Sequence, residues 1–209
     1  SKIGDGNASI TVLLENQIAT IRLQVEEFGC ISDWAEASAK RKPLFDFSTD
    51  FTEGCQPLQI MAKATTPDGN IDFKWLTDST VTTGIEQIFL LPDAVKYDFS
   101  LAAFSNLTGC SDTLIKNDLV EVHPKPLAEL TVDFPVAIIE HAQLQFTNLT
   151  TGVESYYWDF GDEETSTDEN PQHLFTELGK FPVSLVVESE FGCADTGMME
   201  IEILPFDIY

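Results

Sequence analysis

A chain of 209 residues leaves room for one or two domains at about 150 residues each, and 43% hydrophobic residues is too high for a disordered acidic tail. Thirty-five Asp and Glu against eleven Lys and Arg give a formal net charge of -24. Such a surface repels nucleic acid and anionic membranes and keeps the chain soluble. No stretch approaches the roughly 20 apolar residues of a membrane helix. Fifteen Phe and many Val, Ile, Leu and Thr suit strands.

In chain order, Ser1-Lys2-Ile3-Gly4 lacks the basic-then-apolar start of a signal peptide, so a secreted parent would carry its signal upstream. The first piece holds Gly4-Asp5-Gly6, the alternating strand Ile21-Arg22-Leu23-Gln24-Val25, and Phe28-Gly29-Cys30. Residues 31–42, around Trp34, could form a helical turn, and are read in preference as a strand leading into a linker. The middle stretch offers strands at Leu58-Gln59-Ile60, Phe73-Lys74-Trp75 and Tyr97 to Ala103, then Gly109-Cys110. The last stretch repeats that order with Leu144-Gln145-Phe146, Tyr156-Tyr157-Trp158, Val183 to Val187 and Gly192-Cys193. Proline-bearing joints, Lys42-Pro43-Leu44 and Pro124-Lys125-Pro126-Leu127, separate these pieces.

A domain-sized repeat runs through the chain. Gly-Cys, closely followed by Asp, recurs after 80 and then 83 residues, and Trp75 and Trp158 each precede the next such Cys by 35.

The fullest copy carries Tyr156-Tyr157-Trp158-Asp159-Phe160-Gly161-Asp162, then Asn170-Pro171-Gln172-His173-Leu174-Phe175, then Gly179-Lys180-Phe181-Pro182-Val183-Ser184-Leu185, then Phe191-Gly192-Cys193-Ala194-Asp195. Over about residues 126 to 205 this order resembles the PKD domain, a small immunoglobulin-like β-sandwich. The resemblance implies an all-β chain of tandem immunoglobulin-like (PKD-like) β-sandwiches joined by short Pro-containing linkers. Residues 1–42 then read as the C-terminal part of an incomplete domain, completed by something outside these residues. Residues 43–125 read as a divergent PKD-like domain, because Trp75-Leu76-Thr77-Asp78 lacks the Phe-Gly-Asp part. Residues 126–209 read as a PKD domain with a C-terminal linker.

Trp75 and Trp158 are expected in sandwich cores, against the rival of a surface platform for glycans. Asp159, Phe160, Gly161 and Asp162 form the acidic turn, whose Asp side chains the resemblance assigns to capping backbone N–H groups. Glu163 stands where the family pattern has its last Gly, and Glu tolerates φ > 0 poorly, so a changed turn is expected there. His173, at the family's Pro-x-His position, is expected to be packed and hydrogen-bonded. No cofactor is expected; Ca²⁺ on the Asp159–Asp168 carboxylates stands as the one alternative, since hard cations take oxygen ligands but no EF-hand spacing is present. The three His are too scattered for zinc, and no Gly-x-Ser-x-Gly, His-Glu-x-x-His or P-loop occurs, so no enzyme is expected within these residues.

The four Cys form no Cys-x-x-Cys motif. Gly54-Cys55 and Gly109-Cys110 resemble a paired motif of PKD-like repeats in Bacteroidetes surface proteins, which implies a Cys55–Cys110 disulfide in an oxidising setting. Simple immunoglobulin topology argues against it by placing the two turns at opposite ends. Cys193 is left without an equivalent partner. Asn7-Ala8-Ser9, Asn106-Leu107-Thr108 and Asn148-Leu149-Thr150 fit the glycosylation sequon, and Asp78-Ser79-Thr80 and Asp112-Thr113-Leu114 fit a short O-glycosylation pattern; both signals are weak.

The resemblance supports a non-catalytic extracellular stalk or interaction segment of a large bacterial surface protein or adhesin, similar to type IX-secreted and gliding-motility proteins. Its partners would be neighbouring domains of the same polypeptide, surface polysaccharide or other cell-surface proteins, without nucleic acid or membrane insertion. Two other readings stay open: an accessory region of a secreted protease or polysaccharide-degrading enzyme, and a self-assembling surface filament subunit.

Overall fold

The structure is a computed structural model that describes residues 7–15, 18–27, 30–31, 35–77 and 81–206, with side chains from residue 39 onward. Gly4-Asp5-Gly6, Phe28-Gly29, Trp34, Asp78-Ser79-Thr80 and the terminal Asp207-Ile208-Tyr209 lie outside the described residues. Two compact units form. One comprises Ser1–Phe51, Gln59–Phe89 and Tyr97–Leu119; the other comprises Thr52–Leu58, Leu90–Lys96 and Val120–Tyr209.

The first unit begins with β1 (Asn7–Glu15), β2 (Ile18–Glu27), β3 (Cys30–Ile31) and β4 (Ala35–Lys40), all antiparallel around β2. The register sets Ile21 opposite Val12 on one side and Ala37 on the other. Because side chains alternate faces, that pairing keeps the apolar positions of neighbouring strands level. Residues 35–40 thus form the strand expected before the first joint.

Next come β5 (Asp46–Thr49), β6 (Glu53–Cys55), β7 (Leu58–Thr65), β8 (Ile71–Leu76), β9 (Val81–Thr83), β10 (Glu86–Leu91), β11 (Lys96–Ser105) and β12 (Ser111–His123). They form a three-stranded sheet in the order β10-β7-β5 and a five-stranded sheet in the order β6-β12-β11-β8-β9. Alternation decides what is buried: Ile60, Ala62 and Ala64 on β7 and Phe99, Leu101 and Ala103 on β11 all turn inward. Trp75 sits among them, edge-on to Phe47 at 5.3 Å between centroids.

In the second unit the last eight strands are β13 (Leu130–Val132), β14 (Val136–Ile138), β15 (Gln143–Asn148), β16 (Ser155–Asp159), β17 (Thr165–Ser166), β18 (Gln172–Leu174), β19 (Gly179–Glu188) and β20 (Ala194–Leu204). Their sheets run β13-β15-β18 and β14-β20-β19-β16-β17. The core gathers Leu144 and Phe146 from one sheet and Trp158, Val183, Leu185, Val187 and Ile201 from the other. This two-layer arrangement is an immunoglobulin-like sandwich. In each five-stranded sheet a three-residue strand pairs in parallel with the long last strand: β6 with β12, and β14 with β20. The fold is all-β. Among the described residues the only helix is the 3-10 turn Ile139–His141, and no helix is long and apolar enough to cross a membrane.

The disulfide corrects the sequence expectation. Cys55 bonds to Cys193, and Cys110 carries a free thiol. Parallel pairing sets Cys55 opposite His123, the last residue of β12, whereas Cys110 precedes Ser111, its first. About 40 Å of extended chain at 3.3 Å per residue therefore separates the two ends of that strand. Cys193 meets Cys55 within the second unit. Charge is organised too: among the described residues, Arg41, Lys42, Lys63, Lys96, Lys116, Lys125 and Lys180 all stand in ion pairs with carboxylates.

Candidate functional site

The acidic turn follows β16 directly. Asp159 Oδ1 accepts the Gly161 N–H at 2.9 Å, and Asp162 Oδ1 accepts the Glu164 N–H at 3.2 Å. Both carboxylates cap backbone donors that the sharp reversal leaves without ladder partners. Gly161 has φ +77°, and a Cβ there would lie 2.8 Å from the Pro182 carbonyl oxygen. Only glycine fits both demands. Glu163 adopts φ 75°, a left-handed conformation that a glutamate takes at a cost.

His173 closes the turn from β18. Its Nε2 donates to Asp162 Oδ2 at 2.7 Å, with side chains only 9% and 16% exposed. Its ring lies on Phe160 with centroids 4.0 Å and planes 2° apart, and meets Phe175 edge-on at 4.6 Å. Trp158 is wholly buried, and its indole N–H donates to the Asp168 carbonyl at 3.0 Å. Trp75 is equally buried and donates to the Gly84 carbonyl at 2.9 Å. Neither tryptophan offers a surface platform.

Beside the turn, a recess of about 430 Å³ is lined by Gly161, Asp162, Glu163, Glu164, Leu174, Thr176, Glu177 and Phe181. Among the described residues no three His, Cys, Asp or Glu gather closely enough to hold a metal ion. The Asn148 sequon also has a structural use: Asn148 is 9% exposed, its Oδ1 accepts the Thr150 N–H, and its amide donates to the Thr150 carbonyl.

A second constellation surrounds the hairpin before β20. Gly192 turns at φ 74°, and Ser189 N–H donates to the Cys193 carbonyl at 2.9 Å. Phe191 stacks on His123, 4.0 Å and 7° apart. Asp195 binds Lys125 Nζ at 2.7 Å through one oxygen and accepts the Ala128 N–H at 2.9 Å through the other. The Ala128 N–H, and after it the Lys125 ammonium, hold the Asp195 carboxyl below its usual range.

One repeated device carries its own sequence signal. Asp50-Phe51 and Asp133-Phe134 stand at equivalent places. Asp50 Oδ1 accepts the Phe51 and Met61 N–H groups, and Asp133 Oδ1 accepts those of Phe134 and Gln145.

The PKD domain family model matches residues 123–203. Residues 123–203 form a PKD domain. Collagenase ColA of Bacillus cereus is 31% identical over 86 residues, which are 39% of this chain and 9% of that protein. Pre-pro-metalloprotease PrtV of Vibrio cholerae is 37% identical over 51 residues, 24% of this chain and 6% of that protein. The chain thus spans less than a tenth of the length of the curated relatives it matches. The solved PKD1 domain of V. cholerae PrtV shares 29% identity with a TM-score of 0.34, covering 38% of this chain and 96% of that one. In the PKD domain the hallmark residues Trp158 to Asp162 and His173 all meet at one end of the core, and each has a packing or hydrogen-bonding partner.

Proposed function

We propose that this chain is a non-catalytic, extracellular spacer segment of a larger protein, built from the C-terminal part of an incomplete PKD-like domain (1–42), a divergent PKD-like domain (43–125) and a PKD domain with a C-terminal linker (126–209). One observation carries the reading. Asp162 and His173, the acid–imidazole pair at the hallmark turn, are covered by Phe160 and Phe175 and joined to each other and to backbone. A pair so engaged, with His173 packed between two rings and Asp162 committed to the imidazole and to the Glu164 N–H, holds a turn. The Cys55–Cys193 bond supports an oxidising, extracellular setting. The Gly-Cys motifs resemble those of PKD-like repeats in Bacteroidetes surface proteins, and on that resemblance we read the parent as a surface protein of the adhesin type, exported by the type IX system. Its partners would then be adjoining domains of the same polypeptide and surface polysaccharide. Assaying purified 1–209 against peptide, ester and glycan substrates tests the reading: no turnover is expected, and hydrolysis at an enzymatic rate overturns it.

A second reading, an accessory region of a secreted protease, is favoured by the names of the matched relatives, a collagenase and a metalloprotease. The coding sequence flanking this segment separates the two, through the presence of a protease domain or of further repeats.

A further inference from the structure

Two short phrases recur together, and the structure joins them. Lys-Pro-Leu stands at Lys42 and again at Lys125; Gly-Cys-x-Asp ends at Asp112 and again at Asp195. Both pairs of copies are 83 residues apart. Lys42 Nζ lies 3.0 Å from Asp112 Oδ1, and Lys125 Nζ lies 2.7 Å from Asp195 Oδ1. Each pair falls within a single compact unit. The same lysine of the joint therefore meets the same aspartate, the second residue of the last strand, in both repeats.

The chemistry of the joint explains the need. Proline at 43 and 126 removes an N–H, so the segment cannot be zipped into a ladder at that point. Side chains must hold it instead. An exposed lysine–carboxylate pair alone contributes little, and both joints add a backbone bond. Asp195 takes the Ala128 N–H on its second oxygen at 2.9 Å. At the first joint Asp68, its side chain 4% exposed, takes the Leu44 N–H at 2.8 Å and binds the Arg41 guanidinium. Strands β4 and β12 end at Lys40 and His123, two residues before each lysine. In a chain with eleven cations against thirty-five acids, two lysines at equivalent joints are a specific use of a scarce group.

We propose that Asp112 and Asp195 are clasp residues that fix the Lys-Pro-Leu segment to the start of the last strand of the repeat it opens, so that the joint is part of the sandwich and not a free linker. The proposal holds whether the parent is a surface protein or a protease. Amide hydrogen exchange and ¹⁵N relaxation on the intact 209-residue chain test it. Asp195→Ala is expected to speed exchange at the Ala128 amide about tenfold or more while core amides around Trp158 stay protected. Lys125→Met, which keeps the Ala128 bond, is expected to lower the order parameters of the Lys125 and Leu127 amides. The charge exchange Lys42→Asp with Asp112→Lys is expected to restore the order that either single change removes. If Asp195→Ala does not fold, the lysine variants decide. Order parameters at both joints unchanged in Lys42→Met and Lys125→Met, or an Ala128 amide that exchanges at the native rate in a folded Asp195→Ala, would overturn the clasp.

Discussion

The imidazole of His173 lies flat against the ring of Phe160, 4.0 Å between centroids, while its Nε2 donates to Asp162 at 2.7 Å. One residue thus ties strand β18 to the turn that follows β16. Replacing His173 by Ala removes a stacked ring and leaves Asp162, 16% exposed, short of a donor. We expect a loss of about 2–3 kcal/mol, seen as a lower urea midpoint with an unchanged slope.

The two left-handed residues of the turn respond in opposite directions. Gly161→Ala adds a Cβ 2.8 Å from Pro182 at φ +77°, which should cost about 2 kcal/mol or more. Glu163→Gly relieves a strained side chain at φ 75° and should stabilise by about 0.5–1 kcal/mol. Thermal unfolding of both variants checks the pair; equal signs would contradict the turn described.

Peptide mapping without reductant should recover Cys55 linked to Cys193 and Cys110 as a modifiable thiol. The bond closes a loop of 138 residues, so Cys55→Ser should cost about 2–5 kcal/mol by the unfolded-chain argument. Cys110→Ser should change stability by less than about 0.5 kcal/mol, since that thiol closes no loop.

The clasp at Asp195 also sets a pH dependence. Its carboxyl is depressed in the folded state by the Ala128 N–H and the Lys125 ammonium. An unfolded aspartate titrates near about 3.9. A depressed group contributes fully above that value, and the contribution is lost as pH falls through the lower folded value. Asp112, lowered chiefly by Lys42, acts in the same sense. Denaturation midpoints between about pH 5 and pH 2 should therefore fall less steeply in Asp195→Asn than in the native chain.

Much of the sandwich was legible because strand burial alternates and aromatics dominate cores. Phe99, Leu101 and Ala103 announce an inward face, and Trp158 announces the strand before a sharp turn. The turn's capping role was legible as well, since Asp followed two residues later by Gly or Glu favours a local side-chain bond. The disulfide was not. It depends on β6 lying parallel to the far end of β12, and a three-residue strand such as Glu53-Gly54-Cys55 leaves no periodic trace. Nor was the conformation of Glu163 legible, because propensity alone opposes φ > 0. The surrounding bonds, Glu164 N–H to Asp162 and Phe160 N–H to the Glu164 carbonyl, override it. The joint clasps were present as two separate repeats whose connection only the fold supplies.

The ion-paired lysines and arginine have a consequence beyond any single bridge. With seven of its eleven basic groups engaged by the chain's own carboxylates and a formal net charge of -24, the molecule meets its surroundings as a polyanion. Neighbouring copies then repel across roughly 10 Å at 0.1 M salt but only about 3 Å at 1 M. How densely such molecules can be crowded side by side becomes a property of the medium's ionic strength.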